Sequence, residues 1–260
     1  MIIEYVEDLN FCYFYSKAPI IDEKYTFLLQ DKEIFVYKLE SDQEIKKILE
    51  KTSMDFQVKN YKRAEIGKIE CKHGKDMEIT RFNQLPNEGW EELVDCWSCH
   101  KNEFKSLKLE KIKIVKNRVL LGDFFCYLPV ENIPDCCIKI TGQFENNLNP
   151  IFYNQLEINQ SDESVIFAAL HNFFINSYKY YIKIENKNYE IRYFYSCKLI
   201  KEKDEYLALK IGFKESKEYQ SFLKINEYYE NAIYKMILKN TLGIEENGYF
   251  FSYITNNTKQ

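Results

Sequence analysis

The stretch YKYYIKIENKNYEIRYFYSCKLIKEKDEYLALKIGF, residues 178–213, decides the fold class of this chain. It contains three runs rich in Tyr, Ile, Phe and Leu, in which apolar and polar side chains partly alternate, as is typical of β-strands. The polar segments NKN (186–188) and KEKD (201–204) separate these runs. Because so few residues cannot form a crossover helix, the pattern predicts three antiparallel strands joined by turns.

Helical segments are predicted on both sides of this meander. Residues 161–175 begin with Ser161 and acidic residues, which can cap a helix. Residues 221–243 place apolar side chains on one face, and Gly243 is the expected stop. The order helix, three strands, helix predicts a lobe over residues 151–260.

The first half of the chain is predicted to form a second β-rich lobe, over residues 1–150. Short apolar or alternating runs indicate antiparallel strands in meanders, at residues 2–6, 11–16, 25–30, 33–39, 54–58, 67–72, 77–82, 111–121 and 124–130. Helices are predicted at residues 41–51 and 88–97, the latter with Trp90 and Trp97 on its apolar face. The expected fold class is α+β, with antiparallel β-rich lobes and a few packed helices in one compact unit.

Composition and charge argue against several classes of function. The net charge is −4, and the 36 basic and 40 acidic residues are interleaved, which argues against direct binding to nucleic acid. No apolar run reaches the roughly 18 residues of a membrane span, and the acidic amino terminus is unlike a secretory signal. We therefore expect an intracellular, soluble protein whose cysteines are mostly reduced.

Two short groups of soft ligands predict a metal site. Cys96 and Cys99 have the spacing with which two thiolates hold one tetrahedral ion, and His100 follows directly. Cys71 and His73 form a second half-site upstream. The alternative is that these are buried cysteines and a surface histidine. Because the ligand set is rich in thiolates, we expect a closed, structural zinc ion rather than a catalytic one.

No other chemistry is indicated, so we predict no catalytic residue and no cofactor besides zinc. The chain has no glycine-rich phosphate loop, no nucleophile elbow and no zinc-deaminase signature. His171 lies on an apolar helix face and is predicted to pack rather than to act as a base. The remaining candidate thiols are predicted to be buried in strands, and they are Cys126, Cys136, Cys137 and Cys197.

LPNEGWEELVDCWSCHKNEF (85–104), followed by RVLLGDFFCYL (118–128), resembles the family of HECT-like ubiquitin-protein ligases. That family includes an animal ligase that binds ubiquitin-conjugating enzymes (E2) and a fungal factor for pre-mRNA cleavage and polyadenylation. The resemblance covers about residues 71–128. Its signature residues are Pro86, Trp90, Glu92, Leu93, Trp97, Cys99, His100, Gly122 and Asp123.

The resemblance also bears on the zinc ligands. Family members carry a C-x-x-C pair upstream of the tryptophan motif, and here His73 stands in for the second thiolate beside Cys71. With Cys99, this leaves Cys96 or His100 as the fourth ligand. Strain between adjacent residues on one ion favours Cys96, whereas the family's Trp-x-Cys-His motif favours His100.

For function, the resemblance offers two interpretations. A HECT-type ligase needs an exposed thiolate near its carboxy terminus, but the last cysteine, Cys197, lies in a strand-like segment well before the end. We therefore favour a non-catalytic factor of the nucleus and cytoplasm. It would bind and stabilise the metallo-β-lactamase-type endonuclease of pre-mRNA 3′-end processing. The alternative is a ubiquitin-protein transferase that works with a ubiquitin-conjugating enzyme or recruits one that carries ubiquitin.

Overall fold

The computed structural model describes residues 1–50, 66–73, 75, 77–85, 116–129, 132–133, 150–201, 204–220 and 223–257. Within these residues the strands are β1 (Ile2–Val6), β2 (Phe11–Ser16), β3 (Thr26–Asp31), β4 (Ile34–Leu39), β5 (Ile69–Cys71), β6 (Arg81–Gln84), β7 (Arg118–Leu121), β8 (Phe125–Tyr127), β9 (Ile151–Phe152), β10 (Leu156–Ile158), β11 (Lys179–Ile184), β12 (Lys187–Lys201), β13 (Asp204–Ser216), β14 (Glu245–Glu246) and β15 (Tyr249–Asn257). The α-helices are α1 (Asp42–Leu49), α2 (Asp162–Phe174) and α3 (Glu227–Lys239). The predicted strand at 54–58 and the predicted helix at 88–97 lie outside the described residues.

Contacts divide the chain into two compact units whose segments alternate along the sequence. The first unit comprises 1–62, 174–220 and 230–260, and the second comprises 63–173 and 221–229. The predicted lobes, 1–150 and 151–260, do not coincide with these units. The physical reason is that β1 pairs with β12, so the start of the chain joins the same sheet as the meander.

A nine-stranded antiparallel sheet forms the first unit. Its order is β14-β15-β13-β12-β1-β2-β4-β3, and β11 pairs with β12 off this path. The three-strand meander β11-β12-β13 is confirmed, with antiparallel ladders that include Tyr181↔Glu190 and Cys197↔Ala208. The first four strands are also confirmed, but they do not form the simple meander that was predicted. Strand β2 pairs with β4, and β3 lies outside β4 at the end of the sheet.

The carboxy-terminal strand was missed by the sequence analysis. The last helix was predicted to run to Gly243, but α3 ends at Lys239. Gly243 instead takes a positive φ of 73° in the turn that follows, where Leu242 donates its N–H to the carbonyl oxygen of Phe251 (2.9 Å). The chain then returns as β15, which pairs along β13 and extends the sheet beyond the meander.

Both faces of this sheet bury apolar side chains. On one face, Tyr15, Val36, Cys197, Leu199 and Ala208 belong to one cluster. On the other face, α1 packs its buried Ile45 against a separate cluster from β1, β2 and β4. Ser41 makes no side-chain cap at the start of α1. The helix is therefore stabilised by this packing as well as by its backbone hydrogen bonds.

Two small sheets lie in the described part of the second unit. Strand β5 pairs with β10, and the other sheet has the order β6-β7-β8-β9. The described strand pairs are antiparallel, as predicted, except that β6 and β7 run parallel. Parallel neighbours need a long connection, and the chain between β6 and β7 is long enough to supply one. The predicted hairpin at Gly122 is confirmed by the β7–β8 pair.

We expect Gly122→Ala to lower the free energy of unfolding by about 1–3 kcal/mol, as overpacking a core does. Gly122 donates its N–H to the carbonyl oxygen of Phe125 (2.8 Å), and a Cβ here would lie 2.7 Å from that buried ring. Urea denaturation followed by circular dichroism measures the change. Gly67→Ala is the matched control, because a Cβ there has no neighbour within 4 Å. Equal effects of the two substitutions would contradict the steric explanation.

Candidate functional site

The two residues of the predicted upstream half-site, Cys71 and His73, lie in a tight turn. Cys71 ends β5, is buried, and donates its N–H to the carbonyl oxygen of Lys75 (3.3 Å). The exposed His73 directs its Nδ1 at the Cys71 sulfur, at 3.3 Å, and its backbone N–H lies 3.4 Å from the same sulfur. The two predicted ligand atoms of this half-site therefore lie side by side.

This spacing can be compared with the geometry of a tetrahedral zinc ion. With Zn–S of about 2.3 Å, Zn–N of about 2.05 Å and a tetrahedral angle, ligand sulfur and nitrogen are about 3.6 Å apart. The observed 3.3 Å between Cys71 Sγ and His73 Nδ1 is close to that value. The pair fits the predicted half-site.

The second predicted half-site, Cys96, Cys99 and His100, lies outside the described residues. Among the residues that the structure does describe, no group of three or more His, Cys, Asp or Glu side chains could hold a metal ion. The zinc ion and the choice of Cys96 or His100 as fourth ligand therefore stay predictions.

Asn132, which the sequence analysis did not single out, joins three parts of this unit. Its buried amide donates to the carbonyl oxygen of Met77 (3.0 Å) and to the side-chain oxygen of Asn117 (2.9 Å). Its own oxygen accepts the N–H of Asn117 (2.9 Å), whose carbonyl oxygen in turn accepts the N–H of Thr80 (2.9 Å). The starts of β6 and β7 are thereby held together. A lone asparagine in a sequence carries no signal for such a role.

The Gly122-Asp123 turn accepts hydrogen bonds from outside its own hairpin. Tyr153, which is buried, donates its hydroxyl to the carbonyl oxygen of Gly122 (2.9 Å) and its N–H to that of Phe124 (3.1 Å). Lys224 donates to the hydroxyl of Tyr127 (2.8 Å) at the end of the same hairpin. These hydrogen bonds anchor the turn and the end of the hairpin to Tyr153 and Lys224.

The described thiols outside the half-site are buried and protonated at neutral pH. Burial raises the pKa of Cys12 to about 12, with a smaller contribution from the Glu4 carboxylate. Burial also raises the pKa of Cys126 and Cys197 well above the ordinary thiol value. Cys136 and Cys137 lie outside the described residues. Burial and the raised pKa make Cys12, Cys126 and Cys197 poor nucleophiles in the folded protein.

His171 packs against Phe167 on the same helix, α2. Its ring is partly buried and stacks on Phe167, with the ring centroids 5.9 Å apart and an interplanar angle of 14°. Burial lowers its pKa, so the ring is neutral at physiological pH. This geometry is that of a packing residue.

Part of the second unit is similar to a known protein family. Residues 69–165 match the family described as HECT-like ubiquitin-conjugating enzyme (E2)-binding. The match runs from β5 to the first turn of α2, and so extends beyond the predicted residues 71–128. Residues 69–165 are therefore similar to the HECT-like family, and the predicted resemblance is confirmed.

A yeast protein is similar to part of this chain. The Saccharomyces cerevisiae protein named Uncharacterized protein YJR141W is 36% identical over 67 residues. The match covers 22% of this chain and 19% of that protein, so this chain spans about a fifth of the relative's length. No solved structure shows a significant similarity to the chain.

Other parts of the functional prediction are untouched by these similarities. They do not bear on the 3′-end processing endonuclease as a partner, on polyadenylation, or on the nucleus and cytoplasm as the location, and these stay predictions. None of the helices in the described residues is long and apolar enough to cross a membrane.

Proposed function

We propose that this protein binds a ubiquitin-conjugating enzyme through residues 69–165 and recruits it without accepting ubiquitin on a cysteine of its own. The single observation that carries the proposal is the family match over this segment, whose description is E2-binding. This was the alternative interpretation of the sequence. It is now better supported than binding to the endonuclease.

The described cysteines favour recruitment over catalysis. Transfer of ubiquitin to a cysteine requires a thiolate that the E2 thioester can reach. Cys12, Cys126 and Cys197 are fully buried, and burial raises the pKa of all three thiols. Cys71 is also buried, and its sulfur faces the ring of His73, where a zinc ion would occupy it.

The test uses the full chain and a panel of purified E2 enzymes that carry ubiquitin as a thioester. Binding is measured by biolayer interferometry, and transfer is measured as a ubiquitin adduct that reducing agent removes. We expect at least one E2 to bind and no such adduct to form. Substituting Cys136, Cys137 and Cys197 with Ser should leave binding unchanged in protein that remains folded. A reducible adduct that one of these substitutions abolishes would instead establish a HECT-type transferase.

Amine crosslinking identifies which part of the chain contacts the E2. Lys72, Lys75 and Lys116 are exposed lysines within the matched segment, whereas Lys32 and Lys239 are exposed in the first unit. We expect crosslinks from the E2 to the first group and not to the second. No binding across the panel, or crosslinks confined to Lys32 and Lys239, would contradict the proposal.

A further inference from the structure

An open cavity of about 300 Å³ lies on the inner face of the nine-stranded sheet, in the first unit. Its lining is mainly apolar and aromatic, and it includes Tyr15, Leu28, Leu29, Val36 and Phe251. This volume is at the small end of the range for ligand sites, about 300–1,000 Å³. It has room for one or two side chains of a partner rather than for a large cofactor. We call it the β3 pocket, because β3 forms one wall.

The pocket exists because the sheet curls until its two end strands approach each other. At one point, Glu245 of β14 donates its N–H to the carboxylate of Asp31 at the end of β3 (3.0 Å). No ladder joins these two strands, and within the described part of the chain β3 pairs only with β4. One edge of β3 is therefore open beside the pocket, and an open edge is a template for pairing with another strand.

A bulge in β3 turns two consecutive leucines toward this opening. The register with β4 shifts between Phe27 and Leu29, so Leu28 is the extra residue. A bulge of this kind places neighbouring side chains on the same side of a strand. Leu28 and Leu29 both line the pocket, yet they remain 44% and 43% exposed. Phe27 points the other way and packs on Tyr37, with the ring centroids 5.6 Å apart.

The floor of the pocket offers no free charge to a ligand. Lys210 lines it, but its ammonium already donates to both oxygens of the Glu4 carboxylate (2.9 and 3.3 Å) and to the hydroxyl of Tyr195 (3.0 Å). Because the lysine and the carboxylate neutralise each other, the floor presents mainly aromatic ring surface. An aliphatic or aromatic group suits this floor better than an anion.

The rim, by contrast, is acidic. Glu246 lines the pocket mouth and is exposed, as is the neighbouring Glu245, and Asp31 lies at the adjoining end of β3. Acidic groups around an apolar hole attract a ligand with basic groups beside its apolar one. The acidic rim and the apolar floor therefore indicate an occupant that has a basic group beside an apolar one.

We propose that the β3 pocket docks an extended segment of a partner protein. The segment pairs with the open edge of β3, inserts one aliphatic or aromatic side chain between Leu28 and Leu29, and places Lys or Arg beside the acidic rim. Backbone pairing supplies affinity and the pocket supplies specificity, as in other cases of strand addition. The site lies outside residues 69–165, so it does not depend on binding of a ubiquitin-conjugating enzyme.

The experiment selects ligands for the full chain from a phage-displayed library of random octapeptides. We expect the enriched peptides to share one apolar residue with Lys or Arg close to it. Fluorescence anisotropy then measures binding of an enriched synthetic peptide. Leu29→Asp should weaken it by about tenfold or more, and Glu246→Lys by about threefold or more. Phe27→Asp, an equally exposed site on the opposite face of β3, should change it by less than about twofold.

Backbone pairing has its own test. Two phases of N-methylation are compared, one at the odd and one at the even positions of the peptide. One phase should abolish binding and the other should leave it unchanged, because only alternate N–H groups of a strand face its neighbour. The proposal is overturned if no apolar consensus emerges, if the enriched peptide binds the folded Leu29→Asp variant as tightly as the parent protein, or if both N-methylated phases bind. It also fails if free indole saturates the pocket while no peptide is enriched, since the site would then take a small molecule.

Discussion

Replacing Cys71 with Ala is expected to release one equivalent of zinc and to lower the free energy of unfolding by several kcal/mol, as loss of a structural zinc does. The expectation follows from the adjacent Cys71 sulfur and His73 nitrogen, 3.3 Å apart at the end of β5. An ion held there and by Cys99 would join this strand to a distant part of the chain. Replacing Cys99 with Ala should therefore have the same two effects.

Metal analysis of the purified protein and urea denaturation together test this expectation. Cys126→Ala is the matched control, because Cys126 is an equally buried cysteine in the same unit and is not a predicted ligand. It should keep its zinc and lose only about 1–2 kcal/mol from the smaller side chain. Less than about half an equivalent of zinc in carefully purified parent protein would refute the metal site, because a structural zinc ion is tightly bound.

Replacing Lys210 with Met is expected to lower the free energy of unfolding by about 3–5 kcal/mol, the range for breaking a buried ion pair. Glu4 is fully buried, and the Lys210 ammonium is its only cation, at 2.9 Å, among the described ion pairs. The phenols of Tyr15, Tyr195 and Tyr253 also donate to this carboxylate. These neutral donors remain in the variant, but they cannot compensate the charge.

A double-mutant cycle separates the charge from the packing. Glu4→Gln combined with Lys210→Met removes both charges, and its destabilisation should be clearly smaller than the sum of the two single effects. Lys214→Met is the control on the same strand, where the ammonium lies over the Tyr249 ring (4.2 Å) at the surface, and it should cost about 0.5–1 kcal/mol. Additive single effects would show that Glu4 and Lys210 do not act as a pair.

Local patterns in the sequence were sufficient for most individual elements. The three-strand meander, the helix from Asp162, the first four strands and the Gly122 hairpin all came from alternation, caps and turn residues. The family resemblance could also be read from one short segment. Cys71 and His73 lie in contact because they are close in sequence as well as in space, and their role as zinc ligands stays a prediction.

Local patterns in the sequence did not indicate which strands pair with each other. Nothing near β2 indicates that it pairs with β4, and nothing near α3 indicates that the following segment returns as β15 along β13. The parallel β6–β7 pair depends on a long connection rather than on either strand. Alternation indicates which face of a strand is buried, but many pairings can bury the same face.

What the sequence by itself determined was the type of most elements and the resemblance of one segment to a family. Only the tertiary structure decided that Glu4 and Lys210 meet in the interior and that the two ends of the sheet approach beside the open edge of β3. The physical reason is the separation along the sequence of the residues that interact. Turns, caps and alternation depend on neighbours within a few residues. The ion pair and the pocket join residues about two hundred positions apart, and only the completed sheet brings these together.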